Sequence, residues 1–398
     1  MRIAVVAGPY VPIPPSKYGG AEQVISHLVK GLKEAGHEPI LLASSDSTAD
    51  CELIPIIPHA LSFAKNADDF QTQQLLVERA RENTSQALRK LMPTIDIIHS
   101  HGFDLKEFAD FPNLTTLHNE IVFHGDNEGH NLDYYLDRTD LNYVSVSENQ
   151  QASCPQLKYV TTVYNGEDPH EFPMVEQPDD YVCFLGRFDR KKNPHLAIEL
   201  ALQHGIKIKI AGKVDHESEG YFEQEIEPYL NNPHVEYLGE LGFDEKVELL
   251  SRARCNLHPT SFREPFGLTV VEAAYCGTPT LAIARGSMPE LIEFGRTGIW
   301  VEDFVEGYHR LEECFNMERR YVASRARQLF NYRAMTKKYV AAYKTVLAEM
   351  TAPARSHLQP EFSRWVVNRS PGARLISKRP LPLLRMKWHN SGRQQSAH

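Results

Sequence analysis

Short β-rich runs alternate with helical runs twice along this chain, and a proline- and acid-rich stretch separates the two series. The first series places strands at residues 2–7, 39–43, 95–99, 114–118, 143–146 and 159–163, with helices at 21–35 and 70–91. Residues 167–180 have linker composition. The alternation then restarts with strands at 181–185, 207–211 and 235–238 and helices at 194–203, 221–230 and 244–253. Short strands joined through helices build parallel sheets, because the crossover that returns a strand in the same direction is long and right-handed. Two such series about a linker predict an α/β chain of two Rossmann-like domains. A single barrel is the competing arrangement if element boundaries are moved, and the linker weighs against it.

Near the end of the second series, residues 264–272 read Glu-Pro-Phe-Gly-Leu-Thr-Val-Val-Glu. A short strand pattern at 254–259 precedes them and another strand at 280–284 follows. Pro265 suits a helix start, Gly267 permits close backbone approach, and Leu268, Val270, Val271, Ala273 and Ala274 supply an apolar helix body. A helix opening at residues 266–267 exposes amides without intrahelical partners at the positive end of the macrodipole, which suits a diphosphate. At about 1.5 Å per residue, Glu272 stands roughly 7–8 Å along the axis from Gly267, while Glu264 stays ahead of the first turn. Two carboxylates so placed address opposite ends of one elongated ligand, and hydroxyls bind charged acceptors strongly. Two glutamates on a surface helix are common by chance. Their position at the carboxyl edge of a parallel sheet favours the ligand reading.

Three further segments fall at strand ends. Tyr18-Gly19-Gly20-Ala21-Glu22 closes the loop after the first strand and opens the first helix, where two glycines let a phosphate or sugar approach; an ordinary flexible connection is the alternative. It lacks the full G-x-G-x-x-G pattern and the acid some 20 residues on that a dinucleotide dehydrogenase needs. Gly186-Arg187-Phe188-Asp189-Arg190-Lys191-Lys192 follows the first strand of the second series, so Arg187 and Lys192 face the same solvent-filled crevice as Glu264 and can neutralise a diphosphate. Arg190 and Lys191 read equally as solvated charge. His99, His101 and His118 end strands of the first series; His118 follows a clean apolar strand and could bond a sugar hydroxyl or relay a proton. His99 and His101 lack a third ligand at metal-site spacing, so no metal is expected.

Composition narrows the class. At 398 residues and 42% hydrophobic content the chain is globular and long enough for two cores. A net charge of −9 argues against a nucleic-acid surface. The exception is the stretch 351–398, with nine Lys or Arg against the single acid Glu361. Its composition predicts disorder, with docking on anionic lipid through Trp365, Leu381, Leu383, Leu384 and Trp388 the less favoured reading. No apolar run reaches the roughly 18 residues of a membrane span, and residues 3–7 are too short for a secretory signal. The six cysteines form no C-x-x-C pair and fit reduced thiols of a cytoplasmic protein.

Together these segments resemble the family-4 retaining glycosyltransferases, which have the GT-B fold of two facing Rossmann-like domains with a deep cleft between them. The match rests on Tyr18 to Glu22, Thr116-Leu117-His118, Asn165-Gly166, Gly186-Arg187-Phe188 with Lys192, Gly212-Lys213, and Glu264 through Glu272, and it covers roughly residues 1–350. It implies an acceptor-side domain over 1–167, a nucleotide-sugar domain over 168–330 and a helix over 331–350 that crosses back to the first domain. By position, Glu264 contacts the donor sugar and Glu272 the nucleotide ribose. Arg187 and Lys192 neutralise the diphosphate with Gly19, Gly20, Gly186 and the amides of Phe266, Gly267 and Leu268. His118 sits near the transferred sugar. The resemblance further implies metal-independent transfer of a hexosyl group from a UDP-, GDP- or ADP-linked donor, without a cofactor, forming an α-linkage. The acceptor would be a carbohydrate, lipid-linked or small molecule, and loops at 103–112 and 123–135 would select it. Residues 301–308 are shorter and less acidic than the family pattern, and Asn193 stands where a glycine is common. Two other activities on the same fold compete: a sugar-nucleotide 2-epimerase, whose pattern is missing, and a nucleotide-sugar-binding protein without transferase activity.

Overall fold

The computed structural model describes residues 1–17, 19–61, 67–122 and 130–351. Tyr18, part of the expected acceptor loop at 123–135, and the basic stretch beyond 351 with its expected disorder or lipid docking lie outside the described residues. The first half contains strands β1 (Arg2–Val6), β2 (Glu38–Ser44), β3 (Glu52–Ile57), β4 (Ile97–Ser100), β5 (Asn113–Leu117), β6 (Ile121–Val122), β7 (His130–Asn131), β8 (Asn142–Ser145) and β9 (Lys158–Thr162). All but β6 and β7, which pair with each other, form one parallel sheet in the order β3-β2-β1-β4-β5-β8-β9. Helices α1 (Gly20–Glu34), α2 (Ala67–Leu91), α3 (Leu132–Leu136) and α4 (Glu148–Ser153) accompany it.

The second half repeats the plan with β10 (Tyr181–Leu185), β11 (Lys207–Ala211), β12 (Val235–Tyr237), β13 (Asn256–His258), β14 (Thr280–Ile283) and β15 (Gly298–Val301), parallel in the order β12-β11-β10-β13-β14-β15. Helices α5 (Pro194–Gln203), α6 (Glu219–Glu225), α7 (Phe243–Arg252), α8 (Leu268–Tyr275), α9 (Met288–Leu291), α10 (Leu311–Phe315) and α11 (Arg319–Leu329) belong to it, and α12 (Tyr332–Thr351) ends the described chain. These are two parallel-sheet α/β layers, as the alternating pattern and the GT-B resemblance imply.

Both sheets are covered on both faces, which explains their nearly continuous apolar strands. In β1, Ile3 and Val5 pack with Val24 and Leu28 of α1, while Ala4 and Val6 pack with Ala80 and Leu88 of α2. In β10, Val182 and Phe184 face Ala197 and Ile198 of α5, and Tyr181 and Cys183 face Val270 and Val271 of α8.

Two elements differ from the sequence reading. Strand β3 carries no clear strand pattern in the sequence because Pro55 interrupts it; it lies at the sheet edge, where a missing amide is tolerated. The helix expected over 221–230 stops at Glu225 and gives way to a 3₁₀ turn at Glu227–Tyr229, since Pro228 supplies no amide to extend the ladder.

The chain crosses between the two halves twice, side by side. The Glu167 amide donates to the Phe330 carbonyl (3.1 Å) and the Tyr332 amide to the Glu167 carbonyl (2.9 Å). Beyond this crossing, α12 leaves the second half and buries Tyr332, Met335, Tyr339, Tyr343 and Val346 in the core of the first. It packs on α1 so closely that a Cβ at Gly31 would collide with the Thr336 hydroxyl and lie 3.0 Å from its Cβ. A buried polar chain also holds it: Tyr343 Oη lies 2.8 Å from His99 Nδ1, His99 Nε2 lies 2.8 Å from Thr116 Oγ1, and Thr116 Oγ1 lies 3.0 Å from Tyr339 Oη.

Two predictions follow from this packing of α12. Gly31→Ala should cost about 1–3 kcal/mol by overpacking, and adding Thr336→Ala should recover part of it; equal urea midpoints for wild type and Gly31→Ala would contradict the contact. Burial, aided by the neighbouring His118, holds His99 down to about 3. The unfolded chain therefore binds a proton that the folded chain refuses once pH falls below 6.5, so stability is full above that value and is lost on the acid side. Between pH 7 and about pH 5 this one ring should cost about 2 kcal/mol, and His99→Gln should flatten that loss in urea titrations.

Candidate functional site

The strand β13 runs into a loop that ends at Gly267, and α8 starts at the next residue. Gly267 has φ 100° and ψ 63°, a left-handed conformation that only glycine adopts without strain, and a Cβ there would lie 2.6 Å from the Met288 methyl. No side chain caps the helix, and Gly267, Leu268 and Thr269 at its start border a cavity. The loop ahead of it is fixed from behind: the Ser287 amide donates to the Glu264 carbonyl (3.0 Å), and the Ser287 hydroxyl donates to the Phe266 carbonyl.

Across from this start lies the loop after β10. Asp189 Oδ1 accepts from the amides of Lys191 (3.0 Å) and Lys192 (2.8 Å), folding the loop into a turn that presents Lys192. Asn193 has φ 50°, the one positive φ outside glycine among the described residues, which accounts for a residue of its type where glycine is common. Its side-chain amide donates to the Pro259 carbonyl (3.0 Å) and ties the two loops together. The Lys192 ammonium pairs with the Glu264 carboxylate. Arg187 lies 3.3 Å from Asp189 and 3.8 Å from Asp215, and Lys213 lies 2.6 Å from Asp215.

Glu264 and Lys192 border the cleft but are mostly enclosed: their side chains are only 15% and 14% exposed. Burial pushes the Glu264 carboxyl up, but the charges of Lys192 and Arg187 outweigh it and leave the group below its ordinary range. His258 Nε2 stands 3.9 Å from the same carboxylate, and burial together with Lys192 holds that ring down to about 4, so it is neutral.

Glu272, one helical turn before Tyr275 on α8, is buried and pairs with Lys246 of α7. The sequence reading assigned Lys246 to a helix and nothing more, because no spacing rule joins two helices separated by a strand. The 243–252 helix places it under α8, with its ammonium 4.9 Å from the Phe243 ring.

The first half supplies the other wall. Gly20 opens α1 facing α8, so that a Cβ on it would lie 2.9 Å from a Leu268 methyl. Two helix starts from the two halves therefore meet at one place. His118, at the end of β5, shares a 2.8 Å hydrogen bond with His101, Nε2 to Nδ1. Burial holds His118 down to about 4 and His101 well below the usual imidazole range, so both rings are neutral. Among the described residues no group of three or more His, Cys, Asp or Glu side chains is arranged to hold a metal ion.

The two helix starts, the loop after β10 and the end of β5 border one cavity of about 410 Å³, a volume that fits a ligand of nucleotide-sugar size. Gly19, Gly20, His118, Gly186, Arg187, Lys192, Glu264, Phe266, Gly267, Leu268 and Glu272 all reach it, although they come from four separate stretches of chain. The sequence reading did not single out the carboxylates of Glu22 and Glu120, which also border it. Among the described residues no helix is long and apolar enough to cross a membrane.

Comparison with known proteins agrees with this architecture. The chain is 25% identical over 348 residues to glycogen synthase of Mycobacterium tuberculosis, covering 75% of this chain and 82% of that protein. Its fold matches sucrose-phosphate synthase of Thermosynechococcus elongatus with a TM-score of 0.72 at 18% identity, over 87% of this chain and 99% of that one. It also matches Anabaena HepE, solved in complex with UDP-glucose, with a TM-score of 0.64 at 17% identity over 87% and 100% of the two chains. The model for Glycosyltransferase Family 4 matches residues 18–168, and the model for Glycosyl transferases group 1 matches residues 169–322. The two join without a gap over the residues that build the cavity, and the chain belongs to the family-4, group 1 glycosyltransferases of GT-B fold.

Proposed function

We propose that the chain is a retaining glycosyltransferase that moves a hexosyl group from a nucleoside diphosphate sugar to a hydroxyl-bearing acceptor, a carbohydrate, lipid-linked or small molecule, and forms an α-linkage. The observation that carries this reading is the meeting of two helix starts with Arg187 and Lys192 in one cavity, flanked by Glu264 and Glu272. The diphosphate would lie against the amides of residues 266–268, with Arg187 and Lys192 taking up charge as it departs. Glu272 would hold the ribose and Glu264 the sugar hydroxyls. Group 1 glycosyltransferases use nucleotide sugars, and HepE was solved with UDP-glucose, which supports a donor of this class.

In the reaction so read, the bond from the anomeric carbon to the β-phosphate oxygen breaks as the acceptor oxygen attacks from the same face. The acceptor proton passes to the departing phosphate. Charge neutralisation falls to this chain's own cations and helix amides, so metal independence is part of the proposal. His118 is neutral and reaches the cavity from the acceptor side, where it would bond a hydroxyl of the transferred sugar. The division into an acceptor-side domain over 1–167 and a donor domain over 168–330 belongs to the same reading. So does a cytoplasmic setting, which fits six cysteines outside any disulfide.

Lys192→Ala and Glu264→Ala should each lower transfer about ten- to a hundredfold, the worth of one charge-assisted contact. Each leaves its partner as an unpaired, mostly buried charge, so each should also destabilise, whereas the double variant should regain stability without regaining transfer. Transfer near wild-type levels in both single variants would remove the site assignment. Screening UDP-, GDP- and ADP-sugars by thermal shift identifies the donor, since a ligand at 100 times its dissociation constant stabilises by about 2.7 kcal/mol. With that donor alone, accumulation of an epimerised sugar would indicate the 2-epimerase. Tight binding with neither transfer nor hydrolysis across a broad acceptor panel would indicate a binding protein. An EDTA-sensitive rate would contradict metal independence.

A further inference from the structure

Outside the cavity lining, one carboxylate of the second half is held by the backbone of the first. Glu290 lies on the short helix α9, and consecutive amides at the start of α4 take its two oxygens: the Glu148 amide donates to Oε2 (2.8 Å) and the Asn149 amide to Oε1 (2.7 Å). The Tyr164 hydroxyl also donates to Oε2 (3.1 Å). The first amides of a helix have no intrahelical acceptor, and the hydroxyl of Ser147, which precedes α4, accepts only from the Gln150 amide (3.2 Å). Glu290 therefore completes a helix start that the local sequence leaves open. Hydrogen bonds to a carboxylate are stronger than those to neutral acceptors, and a pair of them fixes direction as well as distance.

Each end of this contact leads to a residue of the site. On the second half, the Glu290 amide donates to the Ser287 carbonyl (2.8 Å), and Ser287 is the residue that holds the carbonyls of Glu264 and Phe266. Tyr164 adds a second tie, with its ring centroid 6.1 Å from that of Phe266. On the first half, the side-chain amide of Gln150 donates to the carbonyls of Leu117 and Asn119, both at 3.0 Å, and these two residues flank His118. Gln150 Oε1 accepts from the Val146 amide (2.8 Å), so this buried side chain is fixed at both of its polar atoms. A run of hydrogen bonds thus leads from the loop before α8, through Ser287, Glu290, the start of α4 and Gln150, to the strand end that carries His118. The crossing at Glu167 joins the halves as well, but its hydrogen bonds involve Phe330, Tyr332 and Tyr275 and reach neither of these loops. A site is held only as well as the hydrogen bonds that support it, and Glu290 is the point where this support passes from one half to the other.

We propose that Glu290 is a positioning residue for the donor sugar: by holding the start of α4 it keeps His118 of the first half in register with the sugar that Glu264 of the second half grips. The proposal rests on the reading that His118 and Glu264 both meet the transferred sugar. Affinity for the nucleoside diphosphate part does not depend on it, since Arg187, Lys192, Glu272 and the start of α8 all belong to the second half. Ser287 keeps its bonds to the loop before α8 without the Glu290 side chain.

The test uses the full chain and whichever of UDP-, GDP- or ADP-glucose binds most tightly. The quantity read is affinity for that sugar nucleotide relative to affinity for its free nucleoside diphosphate, a ratio that isolates the contacts to the sugar. In Glu290→Ala the ratio should fall about three- to tenfold, the worth of one hydrogen bond, while affinity for the free nucleoside diphosphate stays within about twofold of wild type. An unchanged ratio would overturn the proposal, and so would an equal loss of both affinities, which a general loosening of the cleft produces. The second arm combines Glu290→Ala with His118→Ala. A residue that acts through His118 has nothing to place once that ring is gone, so the double variant should show the ratio of His118→Ala alone. Losses that multiply would overturn the proposal while the reading of His118 stands. If His118→Ala alone keeps the wild-type ratio, that reading fails and the proposal falls with it. Amide hydrogen exchange checks the contact itself: at Glu148 and Asn149 it should be about tenfold faster in Glu290→Ala than in wild type, with protection elsewhere in both halves unchanged. Equal exchange at these two amides would overturn the proposal. Should Glu290→Ala not fold, Glu290→Gln decides by the same comparisons. It keeps the shape and one acceptor oxygen but turns an amide donor toward a backbone donor, so its effect on the ratio should be smaller and should still vanish on the His118→Ala background; an effect that persists there would overturn the proposal.

Discussion

The double crossing at Glu167 and Phe330–Tyr332 is the constraint on which the rest of the molecule depends. Each sheet presents its carboxyl edge, with exposed loop and helix starts, and neither edge alone encloses a ligand. The paired crossing strands and α12 bring those edges together, so that Gly20 of one half touches Leu268 of the other. The helix α12 contributes its buried tyrosines to a core that is otherwise built by residues 1–163. Its sequence position at the end of the second half therefore conceals its structural place in the first.

The electrostatics of the cavity follow from that geometry. Cations are gathered where a diphosphate would lie, and each is held by an acid: Lys192 by Glu264, Lys246 by Glu272, Lys213 by Asp215, and Arg187 by Asp189 and Asp215. Pairing lowers the cost of concentrating like charges without a ligand. Neutral His118 adds polar surface to the cavity without adding charge. A binding anion would exchange these pairs for its own contacts, and the carboxylates so released would face its hydroxyls.

Much of this was legible in the sequence because it depends on local rules. The strand at 181–185, the helix at 194–203 and the strand at 207–211 coincide with β10, α5 and β11, each bounded by glycine, proline or a charge cluster. The residues expected at the site reach one cavity, and most of them follow a strand or open a helix. What escaped depends on packing between distant segments. Strand β3 carries a proline that only an edge position excuses, and Pro228 halts a helix whose apolar period continues past it. Lys246 reaches Glu272 from a helix that no spacing connects to it. Asn193 reads as a departure from the family pattern until its left-handed φ shows that it does a glycine's task.

A crystal structure of the full chain with a nucleoside diphosphate tests the central claim most directly. The account predicts the β-phosphate against the amides at the start of α8, within hydrogen-bond reach of Arg187 and Lys192, with both ribose hydroxyls on Glu272. A diphosphate bound elsewhere, or one bound in this cavity with its ribose turned away from Glu272, would contradict it.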